Sequence, residues 1–226
     1  MILWGAFGVA LALAALDWVM VWRQDRRRRY VTKPAAMVAV TAAAGLLILG
    51  WPHDPWQAIA FLFGFFLSLA GDIFLMLPDE RMFLPGLAAF LLAHLCYIVG
   101  LNQTLPPAPA LLLAAPLALA GAFLFLRIRA GMVRSGHAGL APAIALYSLV
   151  ISVMLWSAWA TLFRSPVQWP LARQALVVTG ATLFFISDGT LAWNRFVRPL
   201  QYGNLAVMVT YHLAQLAFAA SLALTF

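Results

Sequence analysis

Residues 64–97 read GFFLSLAGDIFLMLPDERMFLPGLAAFLLAHLCY. An apolar run carries one acid, Asp72, close to its end. The polar turn Pro78-Asp79-Glu80-Arg81 follows, and a second apolar run carries His94 and Tyr97. A carboxylate inside such a run is expensive to hold in lipid, so it marks a functional site. The same design returns near the C-terminus, with Asp188 in one run and His212 in the next. The two hairpins are expected to face each other and to make one acid–base site inside the membrane.

The rest of the chain has the composition that such hairpins need. Of its 226 residues 65% are hydrophobic and 9% charged, against roughly 25% charged in a soluble domain. The apolar runs are ~18–25 residues long, enough for an α-helix to cross a ~30 Å hydrocarbon core. The ~10-residue alternating segments of an outer-membrane barrel do not occur. The fold class is therefore all-α: a polytopic membrane protein of eight transmembrane helices. They are predicted at about 2–22, 34–51, 56–78, 82–101, 108–128, 139–163, 172–194 and 203–226. The connections WPHDP, PDER, NQTLPPAP and RSPVQWP are short. Residues 1–226 form a single domain with no room for a soluble one.

The net charge of +7 follows topology and does not point to nucleic acid. Arg23, Arg26 to Arg29 and Lys33 should hold the first loop in the cytoplasm. With eight spans, twelve basic residues fall in cytoplasmic connections and two, Arg164 and Arg173, on the other side. This predicts both termini outside the cytoplasm, in a membrane of the bacterial inner type. The arginine run is a topology anchor in contact with anionic membrane lipid. The single cysteine, Cys96, excludes an intrachain disulfide. Oligomeric state has no signal in the sequence.

Pro-rich residues 105–109 mark a seam between two four-helix halves, 1–104 and 108–226. Asp72 and Asp188 are 116 residues apart, and His94 and His212 are 118 apart. Helices 3–4 and 7–8 thus form a weak parallel repeat, as an even number of spans per half allows.

Depth gives a second pattern. With a 1.5 Å rise per residue, Asp72 and Asp188 lie ~9 Å, and His94 and His212 ~12–14 Å, from the cytoplasmic helix ends. All four fall in one layer of the cytoplasmic half. Tyr97 shares a face with His94, and Gln215 with His212; Tyr211 is adjacent. Gly71 and Gly189 remove bulk beside the acids and admit a close approach. Lys33 opens helix 2, where its long stem can reach inward or snorkel outward. Asp17 is expected to pair with Lys33 or an arginine at the interface. Asp72 and Asp188 have no obvious basic partner at their own depth.

Two carboxyl groups sharing a buried site can divide one proton, giving an acid and a base together. That suits acid-catalysed hydrolysis, in which one group protonates the substrate and the other activates water. Two Asp and two His could also bind a metal, but no HExxH motif or close ligand spacing supports one. No phosphate-binding glycine loop and no GxSxG elbow is present. Intramembrane acids in a repeat also suit a proton-coupled transporter or a lipid-binding membrane protein, which is the alternative reading.

At these residues the sequence resembles the YhhN family of eight-span membrane proteins, which includes the lysoplasmalogenases. The matching features are Lys33-Pro34, Gly71-Asp72 with Leu75, Phe83, Gly86, Phe90, His94 and Tyr97, then Ser187-Asp188 with Leu191, Phe196, and Tyr211-His212 with Gln215. The resemblance implies hydrolysis of the sn-1 vinyl ether of lysoplasmalogens to a fatty aldehyde and glycerophosphoethanolamine or glycerophosphocholine. It implies no metal or organic cofactor. On this reading Asp72 and Asp188 are the acid–base pair. His94, Tyr97, Ser187, Tyr211, His212 and Gln215 orient the carboxylates and water, and Lys33 meets the head group of a lysophospholipid substrate.

Overall fold

The computed structural model describes residues 2–50, 54–167 and 169–224. His53 lies outside the described residues. Eight α-helices are present: α1 (Ile2–Trp22), α2 (Arg26–Gly50), α3 (Pro55–Met76), α4 (Phe83–Leu101), α5 (Ala114–Arg134), α6 (Ala141–Ala160), α7 (Leu171–Phe196) and α8 (Gly203–Ser221). Helices are the form in which an apolar chain satisfies its own backbone in lipid. Seven of the eight are long and apolar enough to cross a membrane. The chain is a polytopic, integral membrane protein. α8, with 19 residues, packs against α1, α2 and α7 and carries Tyr211, His212 and Gln215 into the interior.

Two helix boundaries depart from expectation. α2 begins at Arg26, eight residues before the predicted start at 34, and Pro34 lies inside it. The arginines are good helix formers, and the Asp25 carboxylate caps them by accepting from the Arg28 backbone N–H at 3.0 Å. Lys33 is therefore about 10 Å into α2 instead of at its mouth. α5 is preceded by a 3₁₀ stretch, Ala108–Leu113, and runs on to Arg134. Gly136 then turns the chain with φ 77°.

The hairpins α3–α4 and α7–α8 meet face to face. Phe90 of α4 packs against Phe184 of α7 (6.2 Å between ring centroids) and Tyr211 of α8 (5.8 Å). Phe61 and Tyr97 pack against Phe218 at 5.9 and 4.8 Å. Gly71 lets α4 close on α3 within the first hairpin: a Cβ there would run into the Phe90 ring. α1 and α2 cover one side of the hairpin pair and α6 the other, with α5 outermost against α6 and α7. Lipid tails are as apolar as leucine, so shape and buried polar contacts, more than hydrophobic drive, hold these faces together. Outward apolar side chains, such as Phe63, Leu119 and Leu146, are exposed on the helix surfaces.

The turns α1–α2, α3–α4, α5–α6 and α7–α8 share one end. Arg195 stacks over Phe83 at 4.1 Å, and His137 lies 5.9 Å from Phe196. Arg164 and Arg173 are at the other end, on either side of Trp169 at 5.7 and 4.2 Å.

Candidate active site

Asp72 is held on both of its oxygens. Lys33 Nζ lies 2.8 Å from Oδ1, and the Tyr211 hydroxyl donates to Oδ2 at 2.7 Å. All three groups are buried. The extension of α2 puts Lys33 at the depth of Asp72, so this acid does have a basic partner. An ion pair of this kind is sustained in a low dielectric by good geometry and by hydrogen bonds to the remaining lone pairs, and both are met here.

Asp188 is held differently. Tyr147 of α6 donates to its Oδ2. His94 Nε2 stands 3.8 Å from the same oxygen, beyond hydrogen-bond reach. Among the described residues no cation faces Asp188 within ion-pair distance other than this histidine. Its Oδ1 has no hydrogen-bond partner among them, and its side chain keeps 14% of its surface exposed.

Both acids open onto one cavity of about 180 Å³, bordered also by Arg29, Ser187, Asn204 and Tyr211. The cavity continues toward the arginine-rich end, where Arg29 borders two further polar hollows shared with Arg26 and, on one side, with Tyr30. The space is large enough for water and for part of a small polar group.

The other residues singled out in the sequence divide into groups. Tyr97 donates to Gln215 Oε1 at 2.8 Å and lies 3.4 Å from Ser68 Oγ, a buried chain linking α3, α4 and α8 beside the acids. Ser187 borders the cavity, but its hydroxyl donates to the Val207 carbonyl at 3.0 Å and fastens α7 to α8. His212 makes no hydrogen bond or ion pair with either acid among the described residues. It accepts from Trp18 Nε1 of α1 at 3.0 Å, and its Nε2 has no partner among the described residues. Asp17 accepts from Thr32 Oγ1 at 2.6 Å and lies 3.7 Å from Arg29 Nε, an interface pair between α1 and α2. Among the described residues no group of three or more His, Cys, Asp or Glu is placed to hold a metal ion.

Three residues at the site were not singled out in the sequence: Tyr147, Arg29 and Asn204. Tyr147 had a usable signal. It is eight residues past Gly139, ~12 Å by helix rise, which is the layer of the two acids. Arg29 was counted only as topology charge, and Asn204 was hidden by its place at the start of α8.

Residues 28–222 match the YhhN family. The chain is 35% identical over 154 residues to human lysoplasmalogenase TMEM86B, covering 68% of this chain and 59% of that protein. It is 32% identical over 206 residues to the rat lysoplasmalogenase TMEM86B, covering 89% and 77%. It is 30% identical over 171 residues to human lysoplasmalogenase TMEM86A, covering 70% and 62%. The chain thus aligns with about three-fifths of the length of the human TMEM86B protein. No solved structure matches it. A family match across 28–222, spanning both acid-bearing hairpins, and relatives at this identity make the chain a member of the YhhN family.

Proposed function

We propose that this protein is an intramembrane hydrolase of the sn-1 vinyl ether in lysoplasmalogens, releasing a fatty aldehyde and a glycerophospho-alcohol. The observation that carries the reading is the pair Asp72 and Asp188 on one cavity, one acid balanced by a lysine and the other not. Relatives named lysoplasmalogenase supply the substrate class.

The chemistry assigns the two acids different parts. Asp72 faces an ammonium and a phenol, both of which favour its carboxylate form. Asp188 has the Tyr147 phenol but no ammonium beside it, and its free Oδ1 carries the proton into the cavity. Transfer of that proton to the β-carbon of the vinyl ether leaves an oxocarbenium ion, R–O⁺=CH–. The Asp72 and Asp188 carboxylates stabilise it electrostatically. Water adds to the α-carbon and gives its proton back to Asp188, forming a hemiacetal. The hemiacetal C–O bond then breaks, with the alcohol oxygen gaining the hydroxyl proton, and aldehyde and glycerophospho-alcohol separate. Tyr147 and His94 position the Asp188 carboxyl. Lys33 fixes the charge of Asp72, and the head-group phosphate meets Arg29 and Arg26 on the cytoplasmic side.

The test is mass spectrometry of products after incubating purified protein with lysoplasmenylethanolamine beside its sn-1 ester analogue. Aldehyde from the vinyl ether with an intact ester is the expected result. Uptake of the lipid or of protons into proteoliposomes without any product would replace this reading with a transporter.

A further inference from the structure

Leu75, Phe90, Asp188 and Leu191 border the carboxylate cavity on one side and a second, apolar hollow of about 60 Å³ on the other. This second hollow lies among α3, α4, α5, α6 and α7. At Gly121 and Ser148 it passes into a third, of about 410 Å³, bounded by α5, α6 and the 3₁₀ stretch that precedes α5. Small residues keep the groove open on both walls: Ala114 and Ala118 on α5, Ala145 and Ser152 on α6. At Gly121 the two helices pack closely, since a Cβ there would run into Ser152 Oγ. Trp156 closes the far end, with its indole donating to the Ala110 carbonyl at 2.9 Å.

We infer that this groove holds the hydrocarbon chain of the single-chain phospholipid substrate, running from Asp188 along α5 and α6 to Trp156. The inference rests on the hydrolase reading above and extends it from the reacting bond to the whole ligand. From Tyr147 to Trp156 the groove rises about 14 Å, close to half of the ~30 Å hydrocarbon core, which is the share one chain occupies. It begins at a polar chamber with arginines on the far side, and beyond Asp188 and Arg195 its lining is mainly apolar. Only an amphiphile matches both ends. The vinyl ether is the first bond of the chain and must lie where head chamber and tail groove meet. Asp188 stands at that junction. A single groove also selects a lipid with one chain.

The first experiment reads binding without catalysis. A lysophosphatidylcholine with a diazirine at the chain end is photolysed with the protein in nanodiscs, and adducts are mapped by peptide mass spectrometry. Adducts within residues 110–156, suppressed by excess unlabelled lysophosphatidylcholine, are expected. Adducts on α1, α2 or α8 overturn the assignment. So does labelling that excess lysophospholipid fails to suppress, which would mean that bulk membrane lipid fills the groove. A second experiment reads chain length. Ala118→Phe and Ala145→Phe should each raise KM for a long-chain lysoplasmenylethanolamine, relative to a short-chain one, by about tenfold, the worth of one to two buried methylenes. Leu119→Phe changes a lipid-facing side chain that is 70% exposed and should leave that ratio alone. An unchanged ratio in both groove variants overturns the assignment. Absence of aldehyde from wild-type protein, with labelling still confined to 110–156, would remove the hydrolase reading and leave the groove.

Discussion

Asp72 and Asp188 occupy corresponding places in two hairpins and border the same cavity, yet their surroundings differ in charge. Asp72 receives Lys33 at 2.8 Å and Tyr211 at 2.7 Å. Asp188 receives Tyr147, and among the described residues only His94, 3.8 Å away, stands within ion-pair distance of it. The difference has a structural origin. α2, which supplies the lysine, packs on α3 and α8, whereas α6, which supplies the tyrosine, packs on α4 and α7. Two acid-bearing hairpins thus acquire different acid environments from the unlike helices beside them. One acid is paired with a lysine, and the other is not.

The largest effect should come from Asp188→Asn. An amide cannot deliver a proton, and kcat for aldehyde release should fall by about 10³-fold, within the range of a general acid. The melting temperature should hardly change, since Asn still accepts from Tyr147. A variant that keeps half of the wild-type rate would break the division between the two acids.

Asp72→Asn should divide differently between activity and stability. It leaves the Lys33 ammonium buried without its counter-charge, a loss of roughly 3–5 kcal/mol. Adding Lys33→Met should restore the melting temperature and leave aldehyde release low. Recovery of activity together with stability would reduce the ion pair to a scaffold. Tyr147→Phe comes next. It removes one hydrogen bond to the proton donor, and about a tenfold fall in kcat with little change in KM is expected.

Much of this arrangement was legible in the chain because the signal is local. An acid in an apolar run announces its cost wherever it sits, and counting residues from the turns brought Asp72, Asp188, His94 and His212 to one layer. The eight helices were legible for the same reason, being set by continuous apolar length. The ion pair was not. Pro34 reads as a helix start, and only the packing of α2 shows that the arginine run before it is already helical and carries Lys33 inward. Tyr147 was hidden because a tyrosine in an apolar run resembles those of the interfacial belt. Helix rotation was hidden too, because composition gives depth along an axis and not direction around it.

His212 shows what that rotation does. Adjacent residues on a helix point about 100° apart, so when Tyr211 turns to Asp72 its neighbour must face elsewhere. It meets Trp18 of α1 instead, with ring centroids 6.3 Å apart and the indole donating at 3.0 Å. His94, at the same depth, stacks on Tyr147 at 5.3 Å and stands beside Asp188. The two histidines, matched in sequence, should therefore separate in assay. His94→Gln removes the ring that packs the Tyr147–Asp188 pair and should lower kcat several-fold. His212→Phe removes the acceptor of a tryptophan hydrogen bond while keeping an aromatic ring. It should destabilise the protein by about 1 kcal/mol and leave kcat within about twofold, the smallest change in the series. Measured side by side, melting temperature and kcat should move in opposite proportion for the two variants. An equal loss of kcat in both would return His212 to the acid–base site and mean that α8 rotates when substrate binds.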